Sequence, residues 1–244
     1  MLLTVTKACQ YYRAAEPQPA FPTHERAADD TLRVLFTGDS WAAYHSDHDT
    51  TLARMITEQT GMTCRVTSAG NVGAKSREVY ERLFGSNREH VASRPDVCIV
   101  SAGINDAVAK MGARYYAANY SAIIRLLLDL QITPVVIDMP DVDYRAVYTR
   151  EGLVARGRHR LSALITGADM FSFSEYRSEL RTAIDQNAWA DSIIYICSRA
   201  WMPDIDSQQR NNMMLPDAIH MTRQGYLRLD SCIAVEINLH YRKR

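Results

Sequence analysis

The sequence predicts an α/β protein, a three-layer α/β/α sandwich built on a central five-stranded parallel sheet. Three observations carry that prediction. Five short strand-like runs, at residues 32–36, 64–67, 96–101, 134–139 and 192–197, are spread through the chain. The first of them alternates little with polar residues, as strands buried on both faces do. The segments between the runs place apolar residues at helical spacing, and strands alternating with helices in this way close into a parallel sheet. At 244 residues the chain is long enough to bury one sizeable core, and nothing requires a second.

In chain order, residues 1 to about 30 read as an N-terminal arm, and 31–244 as the domain. The arm has a short apolar start, then the proline-rich stretches Glu16-Pro-Gln-Pro and Phe21-Pro, which favour extended backbone. The first strand ends in Thr37-Gly38-Asp39-Ser40, a turn that leads into a helix. Residues 49–61 carry Leu52, Met55 and Ile56 on one helical face, with Gly61 as the C-terminal cap. The second strand delivers the loop Ser68-Ala-Gly70-Asn71-Val72-Gly73-Ala-Lys75-Ser76, followed by a stripe of Val79, Leu83 and Phe84. The third ends in Ala102-Gly103-Ile104-Asn105-Asp106, and a long helix follows over 113–130. The fourth closes with Pro140-Asp141-Val142-Asp143. Residues 144 to about 188 read as helical, with interruptions at Gly152, Gly157 and Gly167. After the fifth strand, residues 200–204 read as a loop, and 222 to about 239 as the closing helix.

Composition excludes several classes. Lysine plus arginine and aspartate plus glutamate each number 28, so no global field steers nucleic acid or an anionic membrane. The basic clusters at Arg156–Arg160 and Tyr241–Arg244 read as a solvated helix face and tail. Five cysteines, odd in number and without C-x-x-C spacing, suit buried thiols in a reducing compartment better than a disulfide framework or a metal site. No run reaches the ~20 apolar residues of a membrane span, and Lys7 breaks the short apolar start, so a cytoplasmic location is expected.

The strand ends share one edge of the sheet, where α/β crevices form. That edge receives Ser40, Gly70, Gly73 and Asn105, and the loop before the last helix adds Asp217-Ala-Ile-His220. Singly, each has an ordinary reading: turn glycines, an asparagine cap, an N-cap aspartate, a hydrogen-bonded core histidine. As a set they have chemical sense. An acyl-transfer serine needs a base, which His220 offers, and the histidine needs an acceptor on its other nitrogen, which Asp217 offers. The oxygen of a tetrahedral intermediate needs preorganised donors, which the N–H of Ser40, the N–H of Gly73 and the Asn105 amide offer.

Four ordered blocks, Gly38-Asp39-Ser40, Ser68-Ala-Gly70-Asn71-Val72-Gly73, Gly103-Ile104-Asn105-Asp106 and Asp217-x-x-His220, resemble those of the SGNH/GDSL hydrolase superfamily. The resemblance runs from about Arg33 to Tyr226. It implies a flavodoxin-like α/β/α fold and a serine hydrolase with Ser40 as nucleophile, His220 as base and Asp217 as acid. It implies an oxyanion hole of Ser40, Gly73 and Asn105, and no metal or organic cofactor. The second block departs from the common pattern at Ser68 and Lys75, which leaves Gly70 and Gly73 as alternatives, with the block's alignment favouring Gly73.

Trp41, Tyr44, His45 and His48 follow the nucleophile, and Asp141, Asp143, Arg199 and Trp201 follow the fourth and fifth strands. Of these, Trp41, Tyr44, His45 and His48 are placed to border the acyl or leaving group, and Trp41, Tyr44, Asp141 and Trp201 are the substrate-binding candidates. Polar and aromatic groups at that rim suit a small polar ester or a glycan ester, so an acetylesterase is the expected activity. The alternatives are an O-acetyltransferase using the same triad on a glycan acceptor, and a non-catalytic binding module.

Overall fold

The structure is a computed structural model and describes residues 10–26 and 29–242. The apolar start of the arm, Cys9 and the last two residues of the basic tail lie outside them. The elements run β1 (Leu32–Gly38), α1 (Ser40–His45), α2 (Asp49–Thr60), β2 (Cys64–Gly70), α3 (Ser76–Phe84), α4 (Arg88–Ala92) and β3 (Val97–Ser101). They continue with α5 (Ile104–Val108), α6 (Ala113–Asp129), β4 (Thr133–Ile137), α7 (Tyr144–Arg150), α8 (Leu153–Thr166) and α9 (Ser174–Gln186). The chain then closes with β5 (Ile194–Ile196), α10 (Ser198–Trp201), α11 (Ile205–Arg210) and α12 (Arg223–Arg242).

All five strands are parallel, in the order β2-β1-β3-β4-β5. The chain therefore reverses its direction of winding between β1 and β3, the switch point beside which ligand crevices open in such sheets. Phe36, Ile99, Val100, Val135 and Val136 are fully enclosed, because helices cover both faces. Burying side chains of this size stabilises the fold by roughly 1.5–3 kcal/mol each. One helical layer contains α2 packed on α12, and the other contains α6 packed on α3 and α9.

The arm has no regular structure over 14–26 and lies on the second layer. Asn119 Oδ1 accepts from the N–H of Ala15 (2.8 Å), Tyr80 OH accepts from that of Gln18 (2.7 Å), and Phe21 meets Phe84 edge-on at 5.4 Å. Prolines 17, 19 and 22 cannot pair as a strand, so side chains of α3 and α6 satisfy this backbone instead.

The structure adjusts several expectations. Gly61 caps α2 with a left-handed backbone, as expected. Gly157 does not interrupt a helix: it sits inside α8, and the helical breaks fall at Gly152 and Gly167. A single glycine lowers helix stability by only about 1 kcal/mol, which neighbouring residues offset. Residues 200 and 201, expected in a loop, are the last two of α10. Among the described residues no helix is long and apolar enough to cross a membrane, and Cys64, Cys98, Cys197 and Cys232 are free thiols.

Candidate active site

Ser40 is set by hydrogen bonds at the head of α1. Asp39 caps that helix by accepting from the N–H of Trp41 at 3.0 Å, and it also accepts from Ser101 Oγ at 3.0 Å. Its own N–H donates to the Ser101 carbonyl, also at 3.0 Å, so β1 and β3 clamp the turn between them. Burial pushes the Asp39 carboxyl up to about 6, against the pull of the Trp41 and Ser101 donors. Ser40 holds the first helical position, where an N–H has no partner within its helix.

The other half of the site hangs between α11 and α12. Met214 pairs with Met221 in a short antiparallel bridge, Leu215 N–H donates to the His220 carbonyl (2.7 Å), and Ala218 N–H to that of Leu215 (2.9 Å). Asp217 Oδ1 accepts from the N–H groups of Ile219 and His220, both at 2.9 Å. Two tethers seat this turn: Arg150 donates to the Pro216 carbonyl, and the Trp41 indole N–H donates to that of Ile219 (2.9 Å).

The turn brings His220 Nε2 to 3.1 Å from Ser40 Oγ and His220 Nδ1 to 2.7 Å from Asp217 Oδ2. A carboxylate only accepts, so Nδ1 carries the proton and Nε2 is left to accept from the serine hydroxyl. Partial burial works to raise the Asp217 carboxyl, but the backbone N–H and imidazole of His220 and the N–H of Ile219 outweigh it and hold it below its ordinary value.

Gly70 and Gly73 differ in what surrounds them. A side chain on Gly70 would meet the Ala43 nitrogen at 2.1 Å and the Asp39 carbonyl at 2.5 Å, so β2 approaches α1 through that glycine. Gly73 has a φ of +77° and open space where a side chain would be. Asn105 donates one amide hydrogen to the Ala74 carbonyl at 3.0 Å, which leaves the second available. Asp106 beside it is buried, accepts from Ser76 N–H (2.8 Å) and Ser76 Oγ (2.7 Å), and is pushed up to about 7 by burial.

The rim residues fare unevenly. Tyr44 is 47 % exposed, and its ring stands 5.2 Å from that of His220. Trp201 is 0 % exposed and packs edge-on against Trp41 at 5.7 Å, and the cleft it lines, with Pro203, Asn211 and Arg228, includes neither Ser40 nor His220. Trp41 is likewise core, with its indole N–H committed to Ile219. Asp141 pairs with Arg177 at 2.9 and 3.2 Å. His45 is also corrected: it is the last residue of α1 and turns into the interior rather than toward the mouth. There it bonds Asp230 at 2.9 Å and both Asp49 and Ser68 at 3.0 Å. Asp230 sits 185 residues further along, and no local pattern signals that partnership.

The model of the GDSL-like lipase/acylhydrolase family matches residues 36–228. The chain belongs to that family. General serine-hydrolase and esterase character comes with the membership. The family's fold recurs in solved structures. A lipase/acylhydrolase from Enterococcus faecalis superposes with a TM-score of 0.59 at 18% identity, covering 84% of this chain and 95% of its own. A GDSL-like lipase from Bacteroides thetaiotaomicron gives 0.54 at 14% identity, over 87% and 89%. An acetylxylan esterase from Geobacillus stearothermophilus gives 0.56 at 14%, over 84% and 94%. A search of curated proteins finds no match.

Proposed function

We propose that this member of the family is a serine esterase that works through Ser40, His220 and Asp217 and acts on small polar esters, acetylated carbohydrates first among them. The observation that carries the reading is the continuous relay from Ser40 Oγ through His220 to Asp217, at 3.1 and 2.7 Å. In this scheme Ser40 Oγ attacks the ester carbonyl carbon while its proton passes to His220 Nε2. Asp217 stabilises the imidazolium and holds its orientation. The N–H groups of Ser40 and Gly73 and the free Asn105 amide hydrogen stabilise the oxyanion. The intermediate collapses with cleavage of the C–O bond, and His220 gives its proton to the leaving alcohol. Water then attacks the acyl-enzyme, His220 takes its proton, and the acid departs with Ser40 restored.

Two features favour a polar leaving group. Tyr44 offers an exposed ring beside His220, suited to one face of a sugar. A cleft of about 330 Å³ adjoins the Asp217 turn, with Asp143, Arg150, Gln209 and Asn212 among its lining residues. The shared fold of the acetylxylan esterase adds acetyl-sugar esters to the candidates.

The test is turnover of p-nitrophenyl acetate and of acetylated xylo-oligosaccharides by the wild type and Ser40→Ala, with and without sugar acceptors. Serine-dependent hydrolysis of both is expected. Acetylated acceptor formed at the expense of free acetate would make the protein a transferase, and hydrolysis surviving Ser40→Ala would remove the nucleophile.

A further inference from the structure

Helix α8 is inside out. An ordinary surface helix buries its apolar stripe and turns polar groups to water. In α8 the inward face is polar in part: Ser162 pairs with Tyr12 OH at 2.6 Å, and His159 Nδ1 with Tyr144 OH at 2.9 Å. Its outward face is the apolar one. At roughly 100° per residue, Leu153, Leu164, Gly157, Leu161, Val154 and Ile165 fall side by side in one solvent-facing sector. Leu153, Val154 and Leu164 are 85 %, 89 % and 82 % exposed. Contiguous exposure on this scale marks an interaction surface.

The flanks identify the partner. Arg158 borders the apolar sector on one side and Arg160 on the other, both exposed, and α8 contains no acidic residue. A second copy docked face to face would set arginine against arginine without a carboxylate from either helix. The cleft of about 660 Å³ beside the helix meets it only at its C-terminal end, through Ile165 and Thr166, and leaves Leu153, Val154 and Leu161 outside it. Leucine and valine projecting between one arginine on each flank match an anionic lipid surface, with aliphatic groups entering the acyl boundary and guanidinium groups at headgroup level.

We infer that the Val154–Leu164 face of α8 docks the protein on anionic bilayer surfaces. This holds independently of the esterase reading. The basic cluster 156–160 then acts together with the apolar stripe it frames, and not as a merely solvated face.

The experiment is co-sedimentation of the full chain with vesicles of phosphatidylcholine alone and of phosphatidylcholine mixed with phosphatidylglycerol. Binding to the mixed vesicles, weakened by salt, is expected. Leu161→Glu with Leu164→Glu should reduce partitioning by at least about tenfold, and Arg158→Glu with Arg160→Glu should also remove the salt dependence. Neither pair touches the catalytic residues, so unchanged p-nitrophenyl acetate turnover confirms the fold. Absence of binding to mixed vesicles, or binding that survives the two leucine changes, overturns the inference. A dimer in light scattering that the leucine changes abolish would give the face to a second copy instead. Capture of polyglutamate without vesicle binding would give it to an acidic protein. Either result also overturns the inference.

Discussion

Ser40 is 1 % exposed, and its hydroxyl is directed at His220 by the cap and clamp around Asp39. A serine so placed contributes little to the core, so Ser40→Ala should remove turnover and leave the urea midpoint nearly unchanged. His220→Ala should be almost as damaging, and the double variant little worse than either, because the two act as one unit. Multiplicative losses in kcat/KM would sink the relay. Asn105→Ala should lower kcat by about 10²–10³-fold with KM nearly constant, as removal of an oxyanion donor does; a change confined to KM would make Asn105 a binding residue. At this scale legibility followed sequence distance. Gly38-Asp39-Ser40 and Asp217-x-x-His220 are local patterns, each readable by itself, and a hydrogen bond between His220 and Ser40 links them across 180 residues. His45 and Trp201 were misplaced because burial is decided by partners far away in sequence, Asp230 for one and Trp41 for the other.

Among elements, the critical contact is β2 against α1, made through Gly70. Gly70→Ala would drive a methyl group into the backbone at Asp39 and Ala43, forcing α1 and its serine to move. A stability loss of about 1–3 kcal/mol and a steep fall in kcat are expected. Gly73→Ala meets open space, strains a backbone at φ +77° by about 1–2 kcal/mol and keeps its N–H. Stability and kcat measured on both variants check the distinction; full activity in Gly70→Ala would mean that this approach does not position Ser40. The strands and long helices were readable because each spans enough residues to show its period. The short helices α4, α5, α10 and α11 were not, because four to six residues carry too little periodicity and their stability comes from packing. The outward stripe of α8 was invisible for another reason: a helical period in sequence does not say which face is covered.

Across the whole molecule, buried ionisable groups set the pH dependence of stability. Asp39, raised to about 6, and Asp106, raised to about 7, bind protons more tightly folded than unfolded, where the value is about 3.9. Their stabilising contribution is complete below the unfolded value and is lost as pH rises through the folded ones. His45 acts in the same direction: burial lowers its value, but Asp230 and Asp49 outweigh that and raise it, so its contribution also fades on the alkaline side of its ordinary value. Lys110 has the opposite sign. Burial against Tyr144 and Phe173, opposed by Asp169, Glu175 and Glu151, lowers it to about 8. Its contribution is present above the unfolded value, about 10.4, and lost as pH falls through 8. Asp217 and Asp169, both held low, lose theirs only in acid below the ordinary carboxyl range. The urea midpoint should therefore peak near pH 4–5 and fall toward pH 7–8. Above that, burial holds the thiols of Cys64, Cys98 and Cys232 and the hydroxyls of Tyr116 and Tyr120 above their ordinary values, so their losses outweigh the gain from Lys110 and the midpoint keeps falling toward pH 10. Asp106→Asn should flatten the fall between pH 4 and 7, and Lys110→Met should steepen the alkaline loss. A midpoint that climbs steadily from pH 4 to 8 would show that Asp39 and Asp106 ionise at ordinary values inside the fold, and that burial around the Ser40 turn is offset by its hydrogen bonds.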